Sequence, residues 1–130
     1  MHAVLDTNVV VSALLSPYGT CARVWAAVLA GRLQVCYDAR ILAEYRGVLG
    51  RTELSLDPVA VGQVLRFIER TGQPCVPPPL PPLAPDPDDT PFWEVAIHTD
   101  ALVITGNRRH FPAAGRVVSP AEVLEQLSHG

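Results

Sequence analysis

The sequence predicts an α/β fold, a three-layer α/β/α sandwich around a central parallel sheet of about four to five strands. Three observations predict it. Short apolar runs alternate along the chain with longer amphipathic segments. The short runs are apolar throughout, as strands covered on both faces require, instead of alternating apolar with polar. The chain has 130 residues, 48% of them hydrophobic, with a mean hydropathy of +0.21. That is enough to bury one core, so residues 1–130 read as a single domain.

The elements follow in order. Val4-Leu5 opens a strand that stops at Asp6, and Asn8 to Leu15 forms a helix broken by Ser16-Pro17-Tyr18-Gly19. Thr20 has the chemistry of an N-cap for a helix through Val24, Trp25, Val28 and Leu29, ended by Gly31. Leu33 to Tyr37 is the second strand. Asp38 caps a helix with Ile41, Leu42, Tyr45, Val48 and Leu49 inward, and Gly50 stops it. Asp57-Pro58 starts another, with Val61, Val64, Leu65 and Ile68 on one face and Gly72 after it.

Residues 74–91 hold nine of the 13 prolines. Proline lacks an N–H and cannot sit in a central ladder, so this stretch is an internal connector or an edge-like extension. Asp89-Thr90-Pro91 then begins a helix through Phe92, Trp93, Val95, Ala96 and Ile97. Ala101 to Ile104 is a strand ending at Thr105-Gly106-Asn107, and Val117-Val118 is the last. Ser119-Pro120 opens a final helix with Val123, Leu124 and Leu127 inward, and residues 128–130 fray.

Composition removes several function classes. All ten basic residues are arginine, and without lysine neither P-loop phosphate binding nor Schiff-base chemistry is open to the chain. The three cysteines, Cys21, Cys36 and Cys75, are widely spaced and odd in number, which fits free thiols instead of a disulfide framework or a zinc site. No apolar run approaches the ~20 residues of a membrane span, and Met1 to Leu5 lacks the basic start of a signal peptide. The expected location is the cytoplasm, with no membrane contact. A net charge of −3 gives no global pull on nucleic acid, so any such binding rests on a local patch.

In open parallel sheets, ligands bind outside the carboxyl ends of the strands. Asp6 follows the first strand, Asp38 the second and Asn107 the Ala101–Ile104 strand. Asp86, Asp88 and Asp89 precede a helix starting at that same edge. Asp6 can be a helix cap, but Thr7 and Asn8 can cap too, and a carboxylate ending an apolar run is costly unless compensated. Glu44 falls on or beside the apolar stripe of its helix. It either reaches solvent beside Arg40 or shares a cation with Asp6. Asp88 and Asp89 suit a helix dipole, yet the cluster exceeds what capping needs.

Several carboxylates around one cleft repel unless cations balance them, and hard oxygen donors favour Mg²⁺ or Mn²⁺. Metal-activated water attacking a phosphodiester is the chemistry such a centre supports. Arg108 and Arg109 then either bind backbone phosphates or form a solvated turn. A phosphotransfer enzyme with Asp6 as nucleophile lacks the lysine it needs.

Taken in order, Val4-Leu5-Asp6-Thr7-Asn8-Val9, Glu44, Asp86-Pro87-Asp88-Asp89-Thr90-Pro91-Phe92-Trp93-Glu94 and Ile104-Thr105-Gly106-Asn107-Arg108-Arg109-His110-Phe111 resemble the PIN-domain family. The likeness is to the short prokaryotic, VapC-like branch of toxin–antitoxin toxins, and it covers nearly the whole chain. It implies a parallel sheet with flanking helices and a metal-dependent endoribonuclease centre. The implied acids are Asp6, Glu44 and Asp89, with Asn107 as a fourth metal ligand where the family often has Asp. His110 stands where a further acid is often found. Thr7, Asn8, Asp88, Glu94 and Thr105 are implied to line the cleft. RNA is the implied substrate, with a cognate antitoxin as partner and a homodimer as the family habit. Asn107 removes one negative charge from the pattern, which keeps open a non-catalytic or weakly active RNA-binding module on the same fold.

Overall fold

A computed structural model describes residues 1–81 and 86–129. The middle of the proline-rich connector, 82–85, and Gly130 lie outside the described residues; Ser128 and His129, expected to fray, belong to the last helix.

Strand β1 (His2–Leu5) leads into helices α1 (Thr7–Leu15) and α2 (Thr20–Leu29) and then β2 (Gln34–Tyr37). Helices α3 (Ala39–Leu49) and α4 (Pro58–Thr71) follow, then β3 (Gln73–Pro74), α5 (Thr90–Thr99), β4 (Leu102–Ile104), β5 (Val117–Val118) and α6 (Pro120–His129). All four strand pairings are parallel, in the order β3-β2-β1-β4-β5. Successive strand side chains point to opposite faces. Ala3, Val4 and Leu5 are nevertheless all buried, so β1 is covered on both sides. Helix α5 lies on β1 and β2, α2 packs on α1 and α6, and α4 packs on α3 and β2. The three-layer α/β/α architecture follows.

The order places a switch point between β1 and β4. From β1 the chain builds outward through β2 to β3, then crosses back to β4 and builds outward to β5. Crevices open at the carboxyl ends of the two strands flanking such a point. Those ends carry Asp6 and Thr105.

Capping follows the local chemistry with two exceptions. Asp38 accepts from the Ile41 N–H and Asp57 from the Val59 N–H. Ser119 and Glu122 form a reciprocal capping box on α6. Thr20, however, is the first helical residue of α2, and Gly19 takes its cap position. Helix α1 begins at Thr7, one residue earlier than read, which makes Asp6 its cap residue. Gly31 follows α2 in the left-handed region (φ 77°) that glycine tolerates.

The start of the connector becomes an edge strand. Pro74 pairs beside Tyr37, where its missing N–H is harmless, and the Cys75 N–H donates to the Tyr37 carbonyl. Residues Pro87–Asp89 form a 3₁₀ turn before α5. No helix among the described residues is long and apolar enough to cross a membrane.

Candidate metal centre

The crevice is built around Asp6. It ends β1 with its N–H donating to the Ile104 carbonyl at 3.0 Å, which ties it to β4. Its side chain is buried yet makes no capping bond, although it stands at the cap position of α1. Oδ2 accepts from the Thr105 hydroxyl at 2.7 Å. Among the described residues no hydrogen bond occupies Oδ1.

Thr105 is fully buried and serves three contacts. Its N–H donates to the Val118 carbonyl on β5, its hydroxyl donates to Asp6, and that oxygen accepts from the Asn107 N–H at 3.0 Å. One hydroxyl therefore fixes both the acid and the turn beyond it.

Glu44 reaches the crevice from α3. The Thr7 hydroxyl donates to Glu44 Oε2. The adjacent residue anchors the helix: Tyr45 is fully buried, and its hydroxyl donates to the Leu5 carbonyl directly before Asp6. Burial, with the nearby Asp6 and Glu44 carboxylates, holds the Tyr45 hydroxyl well above its ordinary range. Tyr45 is thus a neutral donor that clamps α3 to β1. In the sequence it showed only as a member of the apolar stripe.

Asp89 enters from the turn before α5. It too occupies a cap position without capping. Burial, reinforced by Asp6 and more weakly by Asp86 and Glu44, raises its carboxyl to about 6 against the pull of His110. Asp89 thus feels the charge of both Asp6 and Glu44, which puts the three predicted acids in one neighbourhood. Asp88 is exposed, with its N–H donating to Asp86. Asn8 is exposed as well, and Thr7 is buried beneath Glu44.

Two expectations change. Arg40 pairs with Asp38 and Glu94 instead of Glu44. Glu94 is buried, accepting from Arg40 at 2.8 Å and from the Leu80 N–H at 2.7 Å. It lines a neighbouring cavity of about 350 Å³ with Asp38, Arg40 and Thr90, and its charge belongs there, not with the three acids. Its position on the inner face of α5 explains this, since Arg40 stands between it and solvent. Burial pushes Glu94 up, but the Leu80 N–H and Arg40 pull harder and leave it below its ordinary value.

Asn107 is exposed at the rim, with its amide against His110. Arg108 pairs with Glu122 on α6. Arg109 is exposed and has no ion pair among the described residues.

The donor set suits a hard divalent cation. Asp6, Glu44 and Asp89 offer only oxygen, and a carboxyl raised by burial and then by its neighbours' charge is one that a cation would relieve. As placed, no three His, Cys, Asp or Glu side chains among the described residues converge closely enough to ligate one ion.

No curated protein and no solved structure matches the chain at a significant level. One family model does match, over residues 2–109, and it is described as a PIN domain. PIN domains are generally nucleases that use divalent metal ions and bind RNA. The matched span runs from β1 through the turn after β4 and contains the acids and Thr105, so this chain belongs to the PIN-domain family.

Proposed function

We propose that the protein is a Mg²⁺- or Mn²⁺-dependent endoribonuclease, acting in the cytoplasm as the toxin of a type II toxin–antitoxin pair. The observation that carries the nuclease reading is the pair of helix-start aspartates, Asp6 and Asp89, that withhold their carboxylates from capping, with Asp89 under the charge of both Asp6 and Glu44. When bound, the ion would supply an activated water and charge stabilisation at the leaving oxygen. Asp6, Glu44 and Asp89 would hold it.

The chain's own residues do the rest. Thr105 fixes one oxygen of Asp6, leaving the other toward the crevice. Thr7 and Tyr45 fix Glu44 and its helix. Arg109, exposed in the turn after β4, suits a substrate phosphate, while Arg108 must first leave Glu122. The test is RNA cleavage with added Mg²⁺ or Mn²⁺. Asp6→Asn abolishes it on this reading, and unchanged cleavage overturns the mechanism.

The toxin role rests on resemblance and on one surface feature. An apolar groove of about 400 Å³ runs between α2 and α4, lined by Leu14, Trp25, Leu29 and Phe67 with Arg66 and Arg70 beside it. A protein partner with an apolar and acidic segment suits it, and an antitoxin or a second copy in a homodimer would both qualify. Coexpression with the product of an adjacent reading frame, relieving growth arrest, is the check.

A second reading is a non-catalytic or weakly active RNA-binding module. Asn107 favours it, because its neutral amide stands at the rim and leaves the centre one acid short. Calorimetry showing no divalent ion bound, with RNA still bound, would favour it.

A further inference from the structure

Arg40 lines the cavity beside the carboxylates, and two acids hold its guanidinium by the edge. Nε and Nη2 donate to Asp38 Oδ2 at 2.8 and 2.7 Å, and Nη1 donates to Glu94 Oε1 at 2.8 Å. Both acids are buried, and each has a second tie, Asp38 to the Ile41 N–H and Glu94 to the Leu80 N–H. The guanidinium cannot turn away without leaving a buried charge unpaired. Its N–H bonds run in its plane, so they claim neither of its two faces. The side chain stays 48% exposed.

Much of the remaining lining is apolar. Val76, Pro77 and Pro79 wall the cavity, whose volume is about 350 Å³. Val76 is 92% exposed, an apolar side chain left open to solvent. Two carboxylates against one guanidinium give the lining an excess of negative charge, which disfavours a phosphate. A flat, uncharged ring suits all three features: the fixed cationic plane, the apolar wall and the negative excess. Splayed-out RNA bases stack on arginine planes in this way. The cavity also adjoins the acids of the centre. Arg40 and Glu44 are four residues apart on α3, which puts them on one face a turn from each other. Thr90, also on the lining, directly follows Asp89.

We propose that this cavity is a base subsite, which receives one unstacked nucleobase of an RNA substrate on the Arg40 guanidinium, against Val76, Pro77 and Pro79; this rests on the protein being a nuclease. Arg40 acts there through its plane, not through its charge. Asp38 and Glu94 are positioning residues that hold the plane still.

Binding in EDTA separates the subsite from cleavage. The probes are a fluorescent single-stranded RNA oligomer and an oligomer of equal length whose riboses carry no bases. Anisotropy titrations give the ratio of the two affinities. Arg40→Lys keeps the charge and loses the plane. It weakens the base-bearing oligomer by about tenfold, near the low end of what stacking one base contributes, and leaves the abasic oligomer within about twofold. Val76→Asn, at an exposed position where folding is not at stake, weakens the base-bearing oligomer by about threefold through lost apolar contact. Ultraviolet crosslinking of the same oligomer carrying 4-thiouridine places adducts on Arg40 or on Val76 to Pro79, located by mass spectrometry. Matching melting temperatures exclude a folding cause, and if Arg40→Lys does not fold, Val76→Asn and the adducts decide.

Equal losses on the two oligomers make the contact one to phosphate and overturn the subsite. An unchanged ratio in the variants, or adducts confined to other residues, does the same. Free nucleosides that bind as tightly as the oligomer overturn it in favour of a small-molecule site. Cleavage separates the two possible failures. If the wild-type protein cuts RNA with Mn²⁺ while the ratio never moves, the nuclease centre stands and only the base subsite falls. If it neither binds nor cuts RNA, both fall together.

Discussion

An aspartate before a helical turn ordinarily accepts a backbone N–H, a contact worth about 1 kcal/mol. Asp38, Asp57 and Asp86 do this here. Asp6 and Asp89 give the contact up, and each sits where burial makes a bare carboxylate costly. Their residue type could not separate the two groups in the sequence, since capping and ligation want the same side chain. What did separate Asp6 was its place at the end of an apolar run. Glu94 is the contrasting case, a buried acid fully satisfied by protein donors. Its carboxyl is lowered on folding, so it adds stability above the unfolded carboxylate value of about 4.3 and loses it as pH falls through its lower folded value. In Glu94→Gln that acid-side loss is expected to shrink. Urea unfolding from pH 5 downward, run on both proteins, measures it, and identical slopes would refute the assignment.

Elements were legible where their chemistry is local. Asp57-Pro58 and Ser119-Pro120 announced α4 and α6, and both start there. The stop of α5 was not announced, because Asp100 adopts the left-handed conformation (φ 53°) that a glycine would have signalled. Tyr45 was read as apolar because helical periodicity ranks a tyrosine with its stripe and is silent about where its hydroxyl ends. The junction of α4 with β3 carries a sharper demand. A Cβ on Gly72 would lie 2.5 Å from the Ile68 carbonyl oxygen and 2.7 Å from that of Val35. Both atoms are backbone and cannot swing aside. Gly72→Ala is expected to destabilise by about 1–3 kcal/mol as the helix and the edge strand are forced apart. Chemical denaturation checks this, and a neutral result would show that α4 can shift freely on β2.

At the scale of the whole molecule, the sequence revealed the layers but not the strand order. Each strand is short and uniformly apolar, so nothing local says which neighbour it takes. The site shared that obscurity, because Asp6 meets Thr105 only when β4 inserts beside β1. On the proposed function, the charges of Asp6, Glu44 and Asp89 oppose one another until an ion binds. A divalent ion that binds only the folded chain stabilises it by about 2.7 kcal/mol at a hundred times its dissociation constant. Thermal melting is therefore expected to rise with Mn²⁺. Asp6→Asn should erase that rise while raising the metal-free melting point, because it removes repulsion and keeps an oxygen for Thr105. A variant that still responds to Mn²⁺ would place the ion elsewhere.

The bond between Thr105 and Asp6 also orders events in time. Its partners are 99 positions apart, and synthesis delivers the acid first and the hydroxyl long afterwards. Until β4 has left the ribosome and slotted beside β1, Asp6 has no fixed orientation and the crevice does not exist. The Asp6 carboxylate gains its fixed orientation in one late step, when β4 joins the sheet.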